Sequence, residues 1–443
     1  MAQDRRARAS QAQPKAQARA VPPEADKAVL RSKDKAARAG VAAILASMGP
    51  GLLTSLAGND AGGIATYSTA GATYGYGQLW TVPLMCLLLV VVQETSARMG
   101  CATGKGFASL IRERFGIRIS AVAMLALIVS NFAVTLSEFA GIASGMRLFG
   151  VPVVVSVPVA AIATWLLTVS GSYRRVEKIL LAISCVFVTY VIAGVLAQPD
   201  WGQALYMTAV PQMSTDPAYV SLLVANVGTT ISPYMIFMVA SNVVEKNLDE
   251  EDIPGQRADN VSGAVVAEVI TWFIILTTGT VLHPAGVMVN DAADAAQALV
   301  PLAGDYASAM FAAGLVGASF LAACVLPGIT ASAVCEAFGW ERGTNRNLRE
   351  APTYYGIITV ITALSAVLVL LPGADLFGIM MFAQVINGVL LPVLLLCMVT
   401  IASDRHVMGR WANGRVWNAL TWFTIVAVIV LTVVMFVFQA LGY

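Results

Sequence analysis

The chain has 443 residues, 58 % of them hydrophobic and only 12 % charged, with a mean hydropathy of +0.74. That charged fraction is about half the usual value for a soluble domain, so the composition excludes a water-soluble globular protein and describes a polytopic membrane protein. Its formal net charge of +1 hides an asymmetry, because residues 1–40 carry ten Lys/Arg against four acids.

In chain order, residues 1–40 have no sustained apolar period and read as a disordered basic tail. They contain no apolar core of the kind a cleaved signal peptide needs. Residues 41–443 form the membrane domain. The first apolar run, 41–74, exceeds the roughly 20 residues that cross a bilayer. It is interrupted by Gly58-Asn59-Asp60-Ala61-Gly62-Gly63. Glycine inside a helix costs about 0.8–1 kcal/mol relative to alanine, and an Asp at mid-membrane costs about 2.5–3.5 kcal/mol on insertion scales. Unwound backbone survives at that depth only where it is buried in protein or lines a polar cavity. A break that holds one carboxylate beside freed carbonyls suits a cation. The plainer alternative is a small-residue packing face with Asp60 paired to a neighbour.

Further apolar segments fall at about 79–99, 119–148, 151–169, 174–197, 217–243, 259–282, 303–328, 353–371, 375–401 and 416–441, eleven in all. Lys and Arg cluster after the second, fourth, eighth and tenth, while the opposite loops at 197–216 and 283–305 are nearly free of them. The positive-inside rule then places the N-terminus in the cytoplasm and Tyr443 outside. The stretch from Pro284 to Asp305 is mildly amphipathic and reads as a short external helix. The sixth segment carries Gly228-Thr229-Thr230-Ile231-Ser232-Pro233-Tyr234, and a proline there removes a helical hydrogen bond. The first and sixth segments occupy corresponding places in two sets of five, about 41–197 and 217–401. Paired broken helices in inverted repeats point to a transporter site at mid-membrane. The eleventh segment lies outside the repeat.

The six cysteines and two histidines show no metal or disulfide spacing,. No HExxH, GxSxG, phosphate-binding loop or dinucleotide fingerprint is present, so an enzyme is not expected. No cofactor, nucleic-acid partner or obligate protein partner is implied either. Gln384 and Asn387 lie three apart, hence on one helix face. Glu138 and Glu268 are buried carboxylates, which mark a pathway or a partner; for Glu268, pairing with a polar neighbour is the expectation.

Several stretches resemble the Nramp divalent-metal transporters. They include Met48-Gly49-Pro50-Gly51-Leu52-Leu53, Asp60-Ala61-Gly62-Gly63, Ala70-Gly71-Ala72-Thr73-Tyr74-Gly75-Tyr76 and Gln93-Glu94-Thr95-Ser96-Ala97-Arg98-Met99-Gly100. Thr103-Gly104-Lys105, Glu336-Ala337-Phe338, Gln384-Val385 with Leu391-Pro392, and Met408-Gly409 continue the match in order. The resemblance implies an all-α fold of the leucine-transporter type (LeuT), with two inverted five-helix repeats, broken helices 1 and 6 and an eleventh helix. It also implies alternating access and a metal site drawn from Ala57, Asp60, Gly63, Thr229, Ser232 and Gln384. Gly62, Thr230, Tyr234, Asn387, Glu138 and Glu268 are expected along the pathway or around that site.

The departures fall within the site. Where Nramp proteins show Asp-Pro-Gly-Asn, this chain has Gly63 in the Asn place. Where they show Ala-Thr-Val-Met-Pro-His, it has Thr229 for Ala, Ser232 for Met and Tyr234 for His. Thr135 replaces an acidic residue near the retained Glu138, and a ninth-segment Arg-Arg pair reads Arg349-Glu350. This pattern resembles the Nramp-related magnesium transporter branch. A thioether favours transition metals, whereas hydroxyl, carbonyl and carboxylate oxygens suit Mg²⁺, Ca²⁺ and Mn²⁺. Tyrosine titrates near 10 against about 6.5 for histidine, so proton coupling is not expected. The expectation is a secondary transporter that moves partly hydrated Mg²⁺ and Mn²⁺ into the cytoplasm. The alternatives are a proton-coupled Mn²⁺/Fe²⁺ symporter, an organic-solute symporter of the same fold and a non-transporting membrane sensor.

Overall fold

The computed structural model describes residues 60–169, 189–341 and 348–440. The basic tail, Ala57 and the first parts of the first and fifth apolar segments lie outside the described residues. Thirteen helices of eight residues or more are named in chain order: α1 (Ala61–Tyr74), α2 (Thr81–Thr103), α3 (Phe107–Leu148), α4 (Val153–Val169), α5 (Thr189–Leu196), α6 (Trp201–Ala209) and α7 (Pro217–Thr230). There follow α8 (Pro233–Glu245), α9 (Ile253–Val281), α10 (Ala307–Phe338), α11 (Pro352–Val369), α12 (Leu376–Ala402) and α13 (Arg415–Ala440). No strand occurs among the described residues. Among the described residues eight spans, α7 and α8 counting together, are long and apolar enough to cross a membrane, and α4 is a shorter apolar helix.

Ten of the eleven apolar segments hold one of these helices and the sixth holds two, α7 and α8, with informative differences at the ends. Helix α10 runs ten residues past the expected stop at 328, because Pro327 sits inside it without ending it. Helix α9 starts six residues early, with a proline in its first turn, where the missing N–H would have had no helical partner anyway. Helix α6 falls in an expected loop; Asp200 caps it by accepting the Gln203 N–H at 2.9 Å. The 284–305 stretch does hold short helical turns, the first capped by Asp291. Gly116 takes φ 73°, so α3 changes direction there.

Helix α3 packs along both α10 and α12, α7 lies on α12, and α9 lies against α1 and α2. Two large apolar clusters fill the bundle. One includes Ile64, Tyr67, Phe139, Leu315 and Met380; the other includes Leu127, Val134, Ile231, Phe237 and Leu391. On α3 and α12 the boundary between them falls at 135–138 and 384–387, where Thr135, Ser137, Glu138, Gln384 and Asn387 are buried polar residues. Polar side chains in that position carry a desolvation cost unless hydrogen-bonded. They mark the level of the site.

Candidate functional site

Helix α1 begins at this level with Asp60 as its N-cap, in extended backbone (φ −75°, ψ −176°). Its Oδ1 accepts the Gly63 N–H at 2.8 Å, the ordinary work of an N-cap carboxylate. Its other oxygen, Oδ2, is buried and accepts nothing. Glu138 of α3 lies beside it. One Glu138 oxygen is 3.4 Å from the Ala61 N–H, and the other, Oε1, has no hydrogen-bond partner. Two neighbouring carboxylates thus share the start of α1, each with one oxygen used by the helix and one unused.

Opposite them, α7 ends at Thr230 and α8 begins at Pro233. The proline opens the break, and it also starts the next helix, a position that suits its fixed φ. Ser232 turns its hydroxyl back on the Gly228 and Thr229 carbonyls, at 3.0 and 3.2 Å. Thr229 is fully buried and its Oγ1 has no partner. Thr230 points elsewhere, with its Oγ1 2.8 Å from the Tyr67 hydroxyl and 3.2 Å from the Met85 sulfur.

Helix α12 closes the third side. A Cβ added to Gly62 would stand 1.8 Å from Gln384 Nε2, so that amide lies directly on the Gly62 backbone, and it makes no hydrogen bond there. Asn387 donates to Gln384 Oε1 at 3.1 Å and to Ser232 Oγ at 3.3 Å, and it accepts from Ser130 of α3. Asn387 therefore holds the orientation of Gln384 and Ser232. Ser130 was not singled out from the sequence; its one signal is that it lies two helical turns before Ser137 on an apolar helix.

The structure thus brings Asp60, Gly62, Gly63, Glu138, Ser232, Gln384 and Asn387 to one level. Among the described residues no three His, Cys, Asp or Glu side chains gather into a metal-holding cluster; the set is one carboxylate pair with hydroxyl and amide oxygens. Such donors are hard and suit hard cations.

The chain matches the family model described as natural resistance-associated macrophage protein-like over residues 51–438. It belongs to the Nramp family. A divalent metal cation transporter, MntH, of Burkholderia ambifaria is 27 % identical over 405 residues, covering 89 % of this chain and 88 % of that one. Its namesake in Deinococcus radiodurans is 28 % identical over 414 residues, 88 % and 89 % of the two chains. Among solved structures, an Eremococcus coleocola manganese transporter superposes with a TM-score of 0.71 at 21 % identity, over 89 % of this chain and 86 % of that one. MhsT, solved with L-phenylalanine, gives 0.58 at 14 % identity, over 88 % and 99 %. The fold is the LeuT type, two inverted five-helix repeats with an eleventh helix.

Where this chain departs from the Nramp pattern, the structure gives each departure a place. Tyr234 is buried in the first turn of α8. Thr135 spends its hydroxyl on the Asn131 carbonyl, 2.7 Å away within α3. Arg349 and Glu350 stand in an exposed turn before Pro352 starts α11, so the expectation that they lie along the ninth helix is corrected. A proline at the first helical position sets that boundary. Glu268 is buried on α9, and its Oε2 has no hydrogen-bond partner; at that oxygen the expected polar neighbour is absent.

Proposed function

We propose that this Nramp-family chain carries divalent metal cations, Mg²⁺ and Mn²⁺, into the cytoplasm by alternating access, as partly hydrated ions and without proton coupling. The supporting observation is the buried Asp60–Glu138 pair, whose unused oxygens adjoin a helix break and which no Lys, Arg or His faces among the described residues. Two carboxylates at one level match a dication. The relatives that share the family are named for divalent cations and manganese.

The ion choice follows from the donors. Ser232 stands where a thioether would select transition metals, and a hydroxyl oxygen leaves Mg²⁺ competitive. Mg²⁺ sheds water reluctantly and is held through one or two carboxylates with several waters kept. Asp60 and Glu138 supply those carboxylates, while Thr229 and Gln384 offer unpaired polar atoms to ordered water. An inside-negative potential favours entry of a dication by about 4.6 kcal/mol per 100 mV, twice the single-charge value, so coupling is not needed to drive uptake.

The test is uptake into proteoliposomes across a panel of divalent ions, with a pH dye inside and the potential clamped. Saturable Mg²⁺ and Mn²⁺ uptake without acidification above the protein-free control is the expected result. The retained Glu138 beside Asp60 favours the second reading, a proton-coupled Mn²⁺/Fe²⁺ symporter. Metal-dependent acidification together with indifference to millimolar Mg²⁺ establishes that reading instead.

A further inference from the structure

Ser232, Asn387 and Gln384 are buried and joined in a chain of hydrogen bonds whose direction follows from its ends. Pro233 has no N–H for the Thr229 carbonyl four residues back, which a continuous helix would have used. Ser232 stands in, its hydroxyl reaching the Gly228 carbonyl at 3.0 Å and the Thr229 carbonyl at 3.2 Å. A carbonyl only accepts, so the Ser232 proton is spent on α7. Its oxygen can then only accept from Asn387, 3.3 Å away, and Asn387 must turn its NH₂ to Ser232. The same NH₂ meets Gln384 at 3.1 Å. Gln384 therefore gives its carbonyl oxygen to Asn387 and shows its own NH₂ to the first turn of α1, where it lies on Gly62 without a partner. Ser130 of α3 completes the chain by donating to Asn387 Oδ1.

The chain has one other self-consistent setting. A side-chain amide reverses by a half-turn that exchanges its oxygen and nitrogen in place. With the Gln384 oxygen toward α1, its NH₂ meets Asn387, which must answer with its own oxygen. The Asn387 NH₂ then faces Ser130, whose hydroxyl accepts as readily as it donates. Ser232 gives its proton to Asn387 and releases the Gly228 and Thr229 carbonyls. Each proton stays on its own residue, and only the direction of donation changes. Mixed settings leave a buried polar atom facing its like, which is costly. The two settings offer a cation different atoms. The one seen shows it the Gln384 N–H and a Ser232 oxygen already accepting from Asn387. The reversed one shows it the Gln384 carbonyl, a relieved Ser232 oxygen and two released main-chain carbonyls, hard donors that suit Mg²⁺ and Mn²⁺.

We infer that Asn387 is a positioning residue that sets the polarity of this chain, and that a divalent ion arriving beside Asp60 reverses it. Asn387 acts on the ion through its neighbours, chiefly Gln384, by deciding which atom of that amide faces α1. The reversal also ties ion occupancy to the break between α7 and α8, because the Ser232 proton leaves the carbonyls at the end of α7. That role presupposes the divalent-cation reading, and the two fail separately.

The test is a double-mutant cycle on the KM for Mg²⁺ uptake by the full chain in proteoliposomes, with thermal melts to confirm folding. Asn387→Leu is expected to raise KM severalfold beside Gln384 and to lose most of that effect in the Gln384→Leu background, since a residue acting through another then has little left to act on. Asn387→Asp keeps the shape, and an ionised Asp only accepts, so Gln384 and Ser232 must both donate to it and the chain is held reversed. KM is expected to fall. The added charge alone would lower KM equally whichever residue stands at 384, whereas the polarity effect needs Gln384, so the gain should shrink in Gln384→Leu protein. Infrared difference spectra with and without Mg²⁺ need no variant at 387: wild type should show a shifted side-chain amide carbonyl band that Gln384→Leu lacks. Effects of the Asn387 variants that simply add to that of Gln384→Leu, or wild-type protein that carries Mg²⁺ with no such band, overturn the positioning role alone. Wild-type protein that carries no divalent ion overturns the functional reading and this role with it.

Discussion

Asp60 and Glu94 are both buried carboxylates on neighbouring helices, 2 % and 1 % exposed, and they are served in opposite ways. Glu94 accepts from Arg98 one turn along α2, at 3.1 Å, and from Arg257 of α9 at 2.6 Å. Arg98 in turn reaches the Trp411 carbonyl and, at 2.7 Å, Asn413, while Arg257 lies over the Trp417 ring. Every charge there has a fixed protein partner, and the cluster ties α2, α9 and the segment before α13 together. Asp60 has another carboxylate, Glu138, for a neighbour and no Lys, Arg or His partner among the described residues. A paired buried charge fixes helices, and under the proposed function the one without a cationic partner receives the ion.

The largest effect expected from that contrast is on transport. Asp60→Asn keeps a side-chain oxygen for the Gly63 N–H and removes only the charge, so saturable Mg²⁺ and Mn²⁺ uptake should fall to the protein-free background. The melting temperature should stay close to wild type, because a cap of this kind contributes about 1 kcal/mol and Asn retains it. Wild-type uptake from reconstituted Asp60→Asn protein would break the comparison.

Glu94→Ala should do the reverse. It leaves the buried Arg98 without its anion, a loss of about 3–5 kcal/mol for breaking a buried pair. A lowered melting temperature with near-wild-type KM for Mg²⁺ in the surviving folded fraction is the expected outcome. A changed KM without destabilisation would move Glu94 onto the ion route.

Two glycine substitutions sharpen the contrast further. A Cβ on Gly228 would meet the Gln384 carbonyl oxygen at 2.1 Å and the Gly388 nitrogen at 2.5 Å, both backbone atoms that cannot step aside. Gly228→Ala should destabilise by about 1–3 kcal/mol or more, as overpacking does, read as loss of monodisperse protein or a lowered melt. On Gly62 the same atom meets only the Gln384 side chain, which can rotate. Gly62→Ala should leave the fold intact and weaken apparent Mg²⁺ affinity a few-fold, by swinging the amide away.

The smallest effect is on ion choice. Ser232→Met with Gly63→Asn restores a thioether and a side-chain amide, and competition assays should show preference shifting toward Mn²⁺ and away from Mg²⁺. Unchanged selectivity would mean that the donors at these two positions do not face the ion.

The helices, the break before Pro233 and the buried place of Asp60 at a helix start were legible because each shows in one dimension: apolar length, proline position, a carboxylate in an apolar run. Arg349 and Glu350 fall short of the ninth helix because Pro352 sets its boundary. Arg257 falls between the sixth and seventh apolar segments, and nothing in a linear pattern brings it to its partner Glu94. The Tyr67–Thr230 contact was missed for the same reason, although Tyr67 lies on the same helix two turns from Asp60. Asn387 was expected along the pathway or around the site, and its partners, Ser130 on α3 and Ser232 in the break before α8, appear only in three dimensions.

The glycine seam between α7 and α12 has a mechanical meaning. At Gly228 and Gly388 the two backbones touch, since a Cβ on Gly388 would stand 2.5 Å from the Val224 carbonyl oxygen. Interlocked surfaces of that kind do not slide; they part or they stay. Helix α7 and the middle of α12 are therefore locked to one another, and the freedom between α7 and α8 lies at Ile231 and Ser232, where the helix is already open. Under the proposed function, the open joint between α7 and α8 and the ion's ligand at Ser232 are the same few atoms.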